Sequence, residues 1–341
     1  MKSKLFPTLL AFALGLASCT PDSSPDGSTP ESGASSKPSA TKHIVLLTGD
    51  EEYRSEESFP MLRDILTQHH GFKCTVLFSV NDKGEIDPEA GGSLTHPEML
   101  DSADAIVMLL RFRHWDEATT QKFEAAVRRG VPIIALRTST HPFNYPKESP
   151  YYSWTWNHPD GGWGEKVLGE TWVSHWGKHK HEATKGIIEP GAESNPILNG
   201  VANVFGNSDV YEAHPPADAT ILMRGQVLSG MEPDSPPAEY SKKAKTGVEQ
   251  PVNDPMMPIA WTREYKNEAG TTNKIFCTTM GAATDLTNEG LRRLVVNGVL
   301  WGLGLDIPEK ANVDIVGPYN PTFYGFGEFQ KGLKAADFQS L

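Results

Sequence analysis

The chain has 341 residues, is 38% hydrophobic and carries a formal net charge of -12. That length and apolar content suit one large folded domain or two small ones and exclude general disorder. The acidic balance, with no basic block, predicts no nucleic-acid partner.

Lys2 and Lys4 precede an apolar run from Leu5 to Ala17. That run is shorter than the roughly 20 residues needed to span a bilayer, but it suits a secretory signal. It ends in LASC, residues 16 to 19, which resembles a bacterial lipobox, with cleavage before Cys19 and lipid on that cysteine. An ordinary signal with a chance cysteine is the alternative. Thr20, not Asp, follows Cys19, and in a two-membrane bacterium the resemblance then implies the outer membrane. The expectation is an exported protein, lipid-anchored to the envelope. Residues 1–18 are its signal and 19–41 a Ser-, Pro- and Gly-rich tether. Cys74 and Cys277 then remain, both in apolar strand-like stretches, and are expected to be small buried residues.

The folded part starts at HIVLLTG (43–49), a continuous apolar run closed by glycine, as in a buried parallel strand. Ser58 to His70 has helical spacing, with Phe59, Leu62, Ile65 and Leu66 on one face and Gly71 as its stop. Residues 73–80 and 103–111 read as the next strands, Asp116 to Arg129 as a helix, and 131–137 as a fourth strand. Strand alternating with helix predicts a doubly wound α/β sheet. Residues 138–182 then lose all period and are rich in Trp, His, Pro and Gly. A loop of that length is functional or disordered, and this one is too aromatic for disorder. Strands are expected again at 219–228, 257–265 and 273–281, with a polar excursion at 229–256. The last helix is Asn288 to Leu303. The domain is set at 42–310 and a C-terminal tail at 311–341, including the aromatic NPTFYGFGEF (320–329).

In a parallel sheet, ligands bind outside the carboxyl ends of the strands. The segments there are GDEEYRSEE (49–57), RFRHW (111–115) and RTSTHPF (137–143). They bring Asp50, Glu51, Glu52, Arg54, Arg111, Arg113, Arg137 and His141 to one edge. TWVSHWGKHKHE (171–182) belongs to the loop that would arch over that edge. His175 and His179 are four apart, but Gly177 between them disfavours a helix. His179 and His181 would share a face in a strand. His175, His179 and His181 are therefore candidate ligands for a divalent metal, although Lys178 and Lys180 oppose a cation. Metal-free acid/base work or substrate hydrogen bonding is the competing role, suited to imidazole. A structural loop is the third. Trp154, Trp156, Trp163, Trp172 and Trp176 share the loop. Sugars stack their apolar faces on such rings, while the loop's own small core is the alternative use. GGWGEK (161–166) has the glycine content of a lid hinge.

GDEEYRSEE, RTSTHPFN, GETWVSHWGKHKHE, NDPMMPIAWT and TTMGAATDLTNEGLRRLVVNGVLWGLGL together resemble the trehalose-utilisation (ThuA-like) family. The resemblance implies a flavodoxin-type three-layer α/β sandwich with a mostly parallel sheet, of the class I glutamine amidotransferase-like kind. It also implies a link to disaccharides and their keto derivatives. Where amidotransferases carry a cysteine nucleophile at the elbow after this strand, IIALRTSTH places Arg137, followed by Thr138 and Ser139. Glutamine hydrolysis is not expected, and Ser139 beside His141 does not make a triad.

The resulting expectation is a carbohydrate-active hydrolase, lyase or isomerase working on a glycoside or keto-sugar, with or without a metal. His141 and His175 would transfer protons. Arg111 and Arg137 would hold hydroxyls or an enolate-type oxyanion. Asp50, Glu51, Arg54, Trp172, Trp176 and His179 would bind substrate. No GxGxxG follows the first strand, so no nucleotide cofactor is expected, and a separate oxidoreductase would supply any redox step. The alternatives are a non-catalytic sugar-binding lipoprotein or an envelope scaffold using 229–256 and the tail.

Overall fold

A computed structural model of the protein describes residues 41–338. The signal, the lipobox with Cys19 and nearly all of the tether lie outside the described residues. In chain order the elements are β1 (His43–Gly49), α1 (Ser55–His70), β2 (Lys73–Leu77), β3 (Ala105–Leu110), α2 (Glu117–Arg128) and β4 (Ile133–Leu136). Then come β5 (Ser174–His175), β6 (Thr184–Ile188), β7 (Phe205–Gly206), β8 (Tyr211–Glu212) and β9 (Thr220–Val227). A hairpin of β10 (Ser241–Lys243) and β11 (Glu249–Pro251) precedes β12 (Met257–Lys266), β13 (Thr272–Thr278) and α3 (Glu289–Gly302).

Nine strands form one sheet in the order β2-β1-β3-β4-β13-β12-β9-β6-β7. The first five run parallel, and the rest of the sheet continues antiparallel. The parallel half has the order of a flavodoxin-type fold, whose ligand crevice opens beyond β1 and β3, where the strand order reverses. The α/β sandwich is thus as the sequence implies, with its parallel strands gathered in one half.

The alternation of β1 shows why the sheet is covered on both faces. Ile44 and Leu46 pack with Phe59, Leu62 and Ile65 of α1 and Leu294 and Val295 of α3. Val45 and Leu47 point to the opposite face, with Phe123 and Val127 of α2. Asp116 caps α2 by accepting from the Thr119 N–H at 2.8 Å, and Asn288 caps α3 through the Leu291 N–H at 2.9 Å. Helix α1 starts three residues before its apolar period, at Ser55, with Glu57 in its first turn, where an acidic group suits the helix dipole.

The long loop after β4 builds its own core. Phe143, Tyr145, Trp163, Val167 and Leu168 join the α2 face of the sheet. Gly162 and Gly164 of GGWGEK are packing positions, while Gly161, at φ 78, turns the chain. A Cβ on Gly164 would stand 1.8 Å from the Thr140 carbonyl, and one on Gly162 would stand 2.4 Å from that of Thr155. Beyond α3 the chain runs back across the α1 side. Arg293 Nε donates to the Ala311 carbonyl at 3.0 Å, and Arg292 Nε donates to that of Val313 at 2.9 Å.

Candidate functional site

The loops after β1, β3 and β4 each hold one non-glycine residue in the left-handed region: Arg54 (φ 61), Phe112 (φ 54) and Arg137 (φ 45). Such conformations cost about 1–3 kcal/mol each and gather at functional sites. Arg137 turns the chain directly after β4. Its side chain is fully buried. The guanidinium lies between the rings of Tyr211, at 3.7 Å, and Tyr53, at 4.6 Å. It donates to the Asp209 carbonyl at 2.6 Å, the Thr279 carbonyl at 2.8 Å and Asp209 Oδ1 at 3.0 Å.

Asp209 is the centre of the site. It precedes β8, which pairs antiparallel with β5 so that Tyr211 faces His175. His175 Nδ1 lies 2.8 Å from Asp209 Oδ2, and His179 Nδ1 lies 3.1 Å from Oδ1. The other nitrogen of His179 is 2.9 Å from Glu52 Oε1. Burial would raise the Asp209 carboxyl, but Arg137 and the two imidazoles hold it well below the usual carboxylate range. Burial opposes charge on His179, yet its contacts with Asp209 and Glu52 outweigh this and raise it to about 9. Two carboxylates therefore face two cations, Arg137 and protonated His179. His175 completes the row. Its Nε2 has no hydrogen-bond partner among the described residues, and its side chain keeps 33% of its exposure. A carboxylate on one nitrogen and an open second nitrogen is what general acid/base work asks of an imidazole.

Aromatic rings line the approach to His175. Trp172 meets it edge-on at 4.9 Å. His141 lies 5.3 Å beyond Trp172, and Phe112 lies 5.2 Å from His141 and 5.6 Å from Trp156. Arg111 sits half-exposed on the rim, its guanidinium 4.4 Å from the Phe112 ring. Glu51 holds Arg111 at 3.3 Å and the buried Arg113 at 2.5 Å. The tail closes the far side. Tyr324 is buried against Tyr53, at 5.1 Å, and His179, at 5.6 Å. The Gly325 N–H donates to the Glu52 carbonyl at 2.9 Å.

The structure brings His175, His179 and Trp172 together, and Glu51 with Arg111, among the loops at the carboxyl ends of the parallel strands. Several individual roles change. Arg137 cannot reach a substrate oxyanion, because its guanidinium is spent inside the protein on Asp209 and two carbonyls. Asp50 is fully buried and joins two loops: it accepts from the Glu52 N–H at 2.8 Å, from the Tyr53 N–H and from the Thr138 hydroxyl. Burial, then the neighbouring Glu51, raises its carboxyl to about 6. Arg54 is buried too and donates to Thr322 at 3.2 Å. His141 is 2% exposed, and burial, with Arg111, Arg137 and His175 nearby, holds it well below its ordinary value. It stands behind Trp172 as a buried imidazole whose surroundings disfavour the charged form. Trp176 is fully buried, donating to the Val252 carbonyl at 2.9 Å, so it belongs to the core and not to the cleft.

His181 is exposed and stands outside the cluster. Residues 178–182 form a turn, with the His181 N–H on the Lys178 carbonyl at 3.0 Å, and the strand alternation with His179 does not arise. The third potential ligand beside His175 and His179 is Asp209, the donor atoms of the three lying within 4.8 Å of one another. Asp209, Glu52, Tyr53 and Tyr211 are the residues that sequence reasoning missed or did not assign. The only signal for Asp209 and Tyr211 was a short alternating stretch, NSDVYEA (207–213), with nothing to pair it to His175.

Among solved structures, a ThuA-like protein from Parabacteroides merdae is similar over 88% of this chain and 100% of its own, at 16% identity and a TM-score of 0.47. A ThuA-like protein from Bacteroides uniformis is similar over 79% of this chain and 95% of its own, at 15% identity and a TM-score of 0.43. No curated protein matches the chain. The family described as ThuA, trehalose utilisation, matches residues 43–302. With most of its length matched, from the first strand to the end of α3, the chain belongs to the ThuA family.

Proposed function

We propose that this ThuA-family chain is an enzyme acting on a carbohydrate, a glycoside or keto-sugar, by proton transfer at His175. The observation that carries the reading is the 2.8 Å contact of His175 Nδ1 with buried Asp209, which leaves Nε2 without a partner among the described residues on a ring 4.9 Å from that of Trp172. Asp209 sets the tautomer of His175 and stabilises the imidazolium once a proton arrives. Removal of a proton next to a keto group places negative charge on the carbonyl oxygen, which needs a positive neighbour. With Arg137 buried, Arg111 on the rim is the arginine that can serve. Trp172 and Trp156 offer ring faces to the apolar side of a sugar.

A second reading rests on the same three residues. Two imidazoles and a carboxylate within 4.8 Å suit a divalent cation. Against it stands Arg137, whose guanidinium already occupies Asp209. The N-terminal residues support export and a lipid anchor at Cys19, with the active domain at the envelope and redox steps left to a separate oxidoreductase.

The test is NMR of the protein with disaccharides and their 3-keto derivatives, with and without prior chelation. New sugar signals that survive chelation support proton transfer, and their loss on chelation supports the metal. His175→Gln is expected to lower turnover by about 10²–10⁴-fold while ligand binding persists. Equal turnover in that variant would remove His175 from the reaction, and binding without turnover in the parent would make the chain a sugar-binding lipoprotein.

A further inference from the structure

The two-stranded ribbon that carries His175 has a second face. In the β5–β8 pair His175 stands opposite Tyr211 and Ser174 opposite Glu212, and neighbouring residues of a strand point to opposite sides. His175 and Tyr211 share the side of Trp172, with its ring at 4.9 and 4.8 Å. Ser174 and Glu212 turn the other way. Glu212 is 3% exposed. It accepts from the Ser174 hydroxyl at 2.9 Å and from the Lys245 N–H at 2.5 Å, and it holds His214 Nε2 at 2.9 Å. One buried carboxylate therefore orients one imidazole on each side of the ribbon: Asp209 holds His175, and Glu212 holds His214.

His214 lines a cleft of about 440 Å³ together with Lys166, Glu170, Lys245, Thr246 and Arg263. Most of the charge there is already matched. Both oxygens of Glu170 are taken by backbone N–H groups, those of Thr171 and His214, and burial raises its carboxyl. Arg263 is spent on Asp218 at 2.8 Å and on the Lys166 carbonyl at 3.0 Å. Glu165, on the rim, lays its carboxyl against Gly161, where an added Cβ would stand 3.3 Å away. What remains open is positive or can become so: the ammonium groups of Lys166 and Lys245 and Nδ1 of His214 have no partner among the described residues. We propose that this cleft binds a small oxyanion, phosphate or a phosphate monoester, held by Lys166, Lys245 and His214. A bound oxyanion favours the doubly protonated imidazole, in which Nδ1 donates as well as Nε2, and charge-assisted hydrogen bonds to such oxygens are the strong ones. The three residues come from the loop after β4, the turn between β10 and β11 and the chain just beyond β8, so one ligand joins three segments. The site does not depend on the reaction at His175.

The experiment is an NMR titration of the full chain with inorganic phosphate and, separately, methyl phosphate, against potassium chloride at matched ionic strength. Saturable shifts are expected at the His214 ring protons and at the Lys245 and Thr246 N–H groups, with none from chloride. Saturation by inorganic phosphate alone assigns the site to free phosphate, and saturation by both assigns it to an ester as well. Lys245→Gln removes the ammonium and keeps the backbone bond to Glu212, so the fold is retained. It is expected to weaken phosphate binding about five-fold, the scale of one exposed ion contact. Lys185→Gln, at an exposed position of β6 outside the cleft, is expected to leave binding unchanged. Absence of saturation, shifts confined to His175 and His179, undiminished binding in Lys245→Gln or equal weakening in Lys185→Gln each overturns the site, and none of them bears on turnover at His175.

Discussion

Asp209 decides what its neighbours can do. It neutralises Arg137, orients His175 and, with Glu52, keeps His179 charged. Its pair with Arg137 is fully buried on both sides, and removing one partner of such a pair is costly because a charge is left without compensation. Asp209→Asn is therefore expected to destabilise the fold by about 3–5 kcal/mol, read from the urea midpoint, and to lower turnover with it. A midpoint close to the parent's would mean that Arg137 finds another counter-charge. None of this was visible locally. His175 and Asp209 stand 34 positions apart, and no spacing rule joins them. The β5–β8 pair joins them, and two-residue strands leave almost no period to read.

At the scale of elements, β1, β3, β4, α1, α2 and α3 were legible because each is apolar on one or both faces. The segment between β4 and β6 was not, since its order comes from packing of aromatic rings and not from period. Trp163 and Trp176 turned out to be core, while Trp172 and Trp156 face the approach. Glycines in such a segment look alike in sequence whether they bend or pack. Gly164 packs, with no room between its Cα and the Thr140 carbonyl. Gly164→Ala is expected to cost about 3 kcal/mol or more by overpacking, measured as a loss in thermal or urea stability. A neutral substitution would return this stretch to the role of a mobile lid.

For the whole molecule, Glu56 in the first turn of α1 and His179 between its two carboxylates make stability fall as pH rises. Glu56 is 5% exposed and neither carboxyl oxygen has a partner among the described residues. Burial pushes its carboxyl up to about 8 from an ordinary 4.5. Between those values the unfolded chain has released the proton and the folded chain has not, so Glu56 removes up to about 1.4 kcal/mol of stability per pH unit. His179 acts in the same direction but higher. Its folded value of about 9 against 6.5 means that its stabilisation is full below 6.5 and lost as pH rises through 9. Glu56→Gln is thus expected to gain on the parent by up to about 4 kcal/mol between pH 5 and pH 8 in urea unfolding. A difference that stays constant with pH would mean that the Glu56 carboxyl is hydrated.

The residues by themselves determined the class of fold, the parallel half of the sheet and the edge at which charged and aromatic side chains gather. Those follow from hydrophobic period and from the rule that strand ends carry the loops, and both act over a few neighbouring positions. Only the tertiary structure decided which charged groups at that edge are spent inside the protein and which remain open to a ligand. It buried Arg137, Asp50, Arg54 and Trp176, replaced His181 by Asp209 beside His175 and His179, and laid Tyr324 of the tail against His179. Burial and pairing of polar groups depend on partners far away in the chain, and desolvation makes each unpaired choice expensive. That energy has no counterpart in local pattern, so it becomes readable only when the chain is folded.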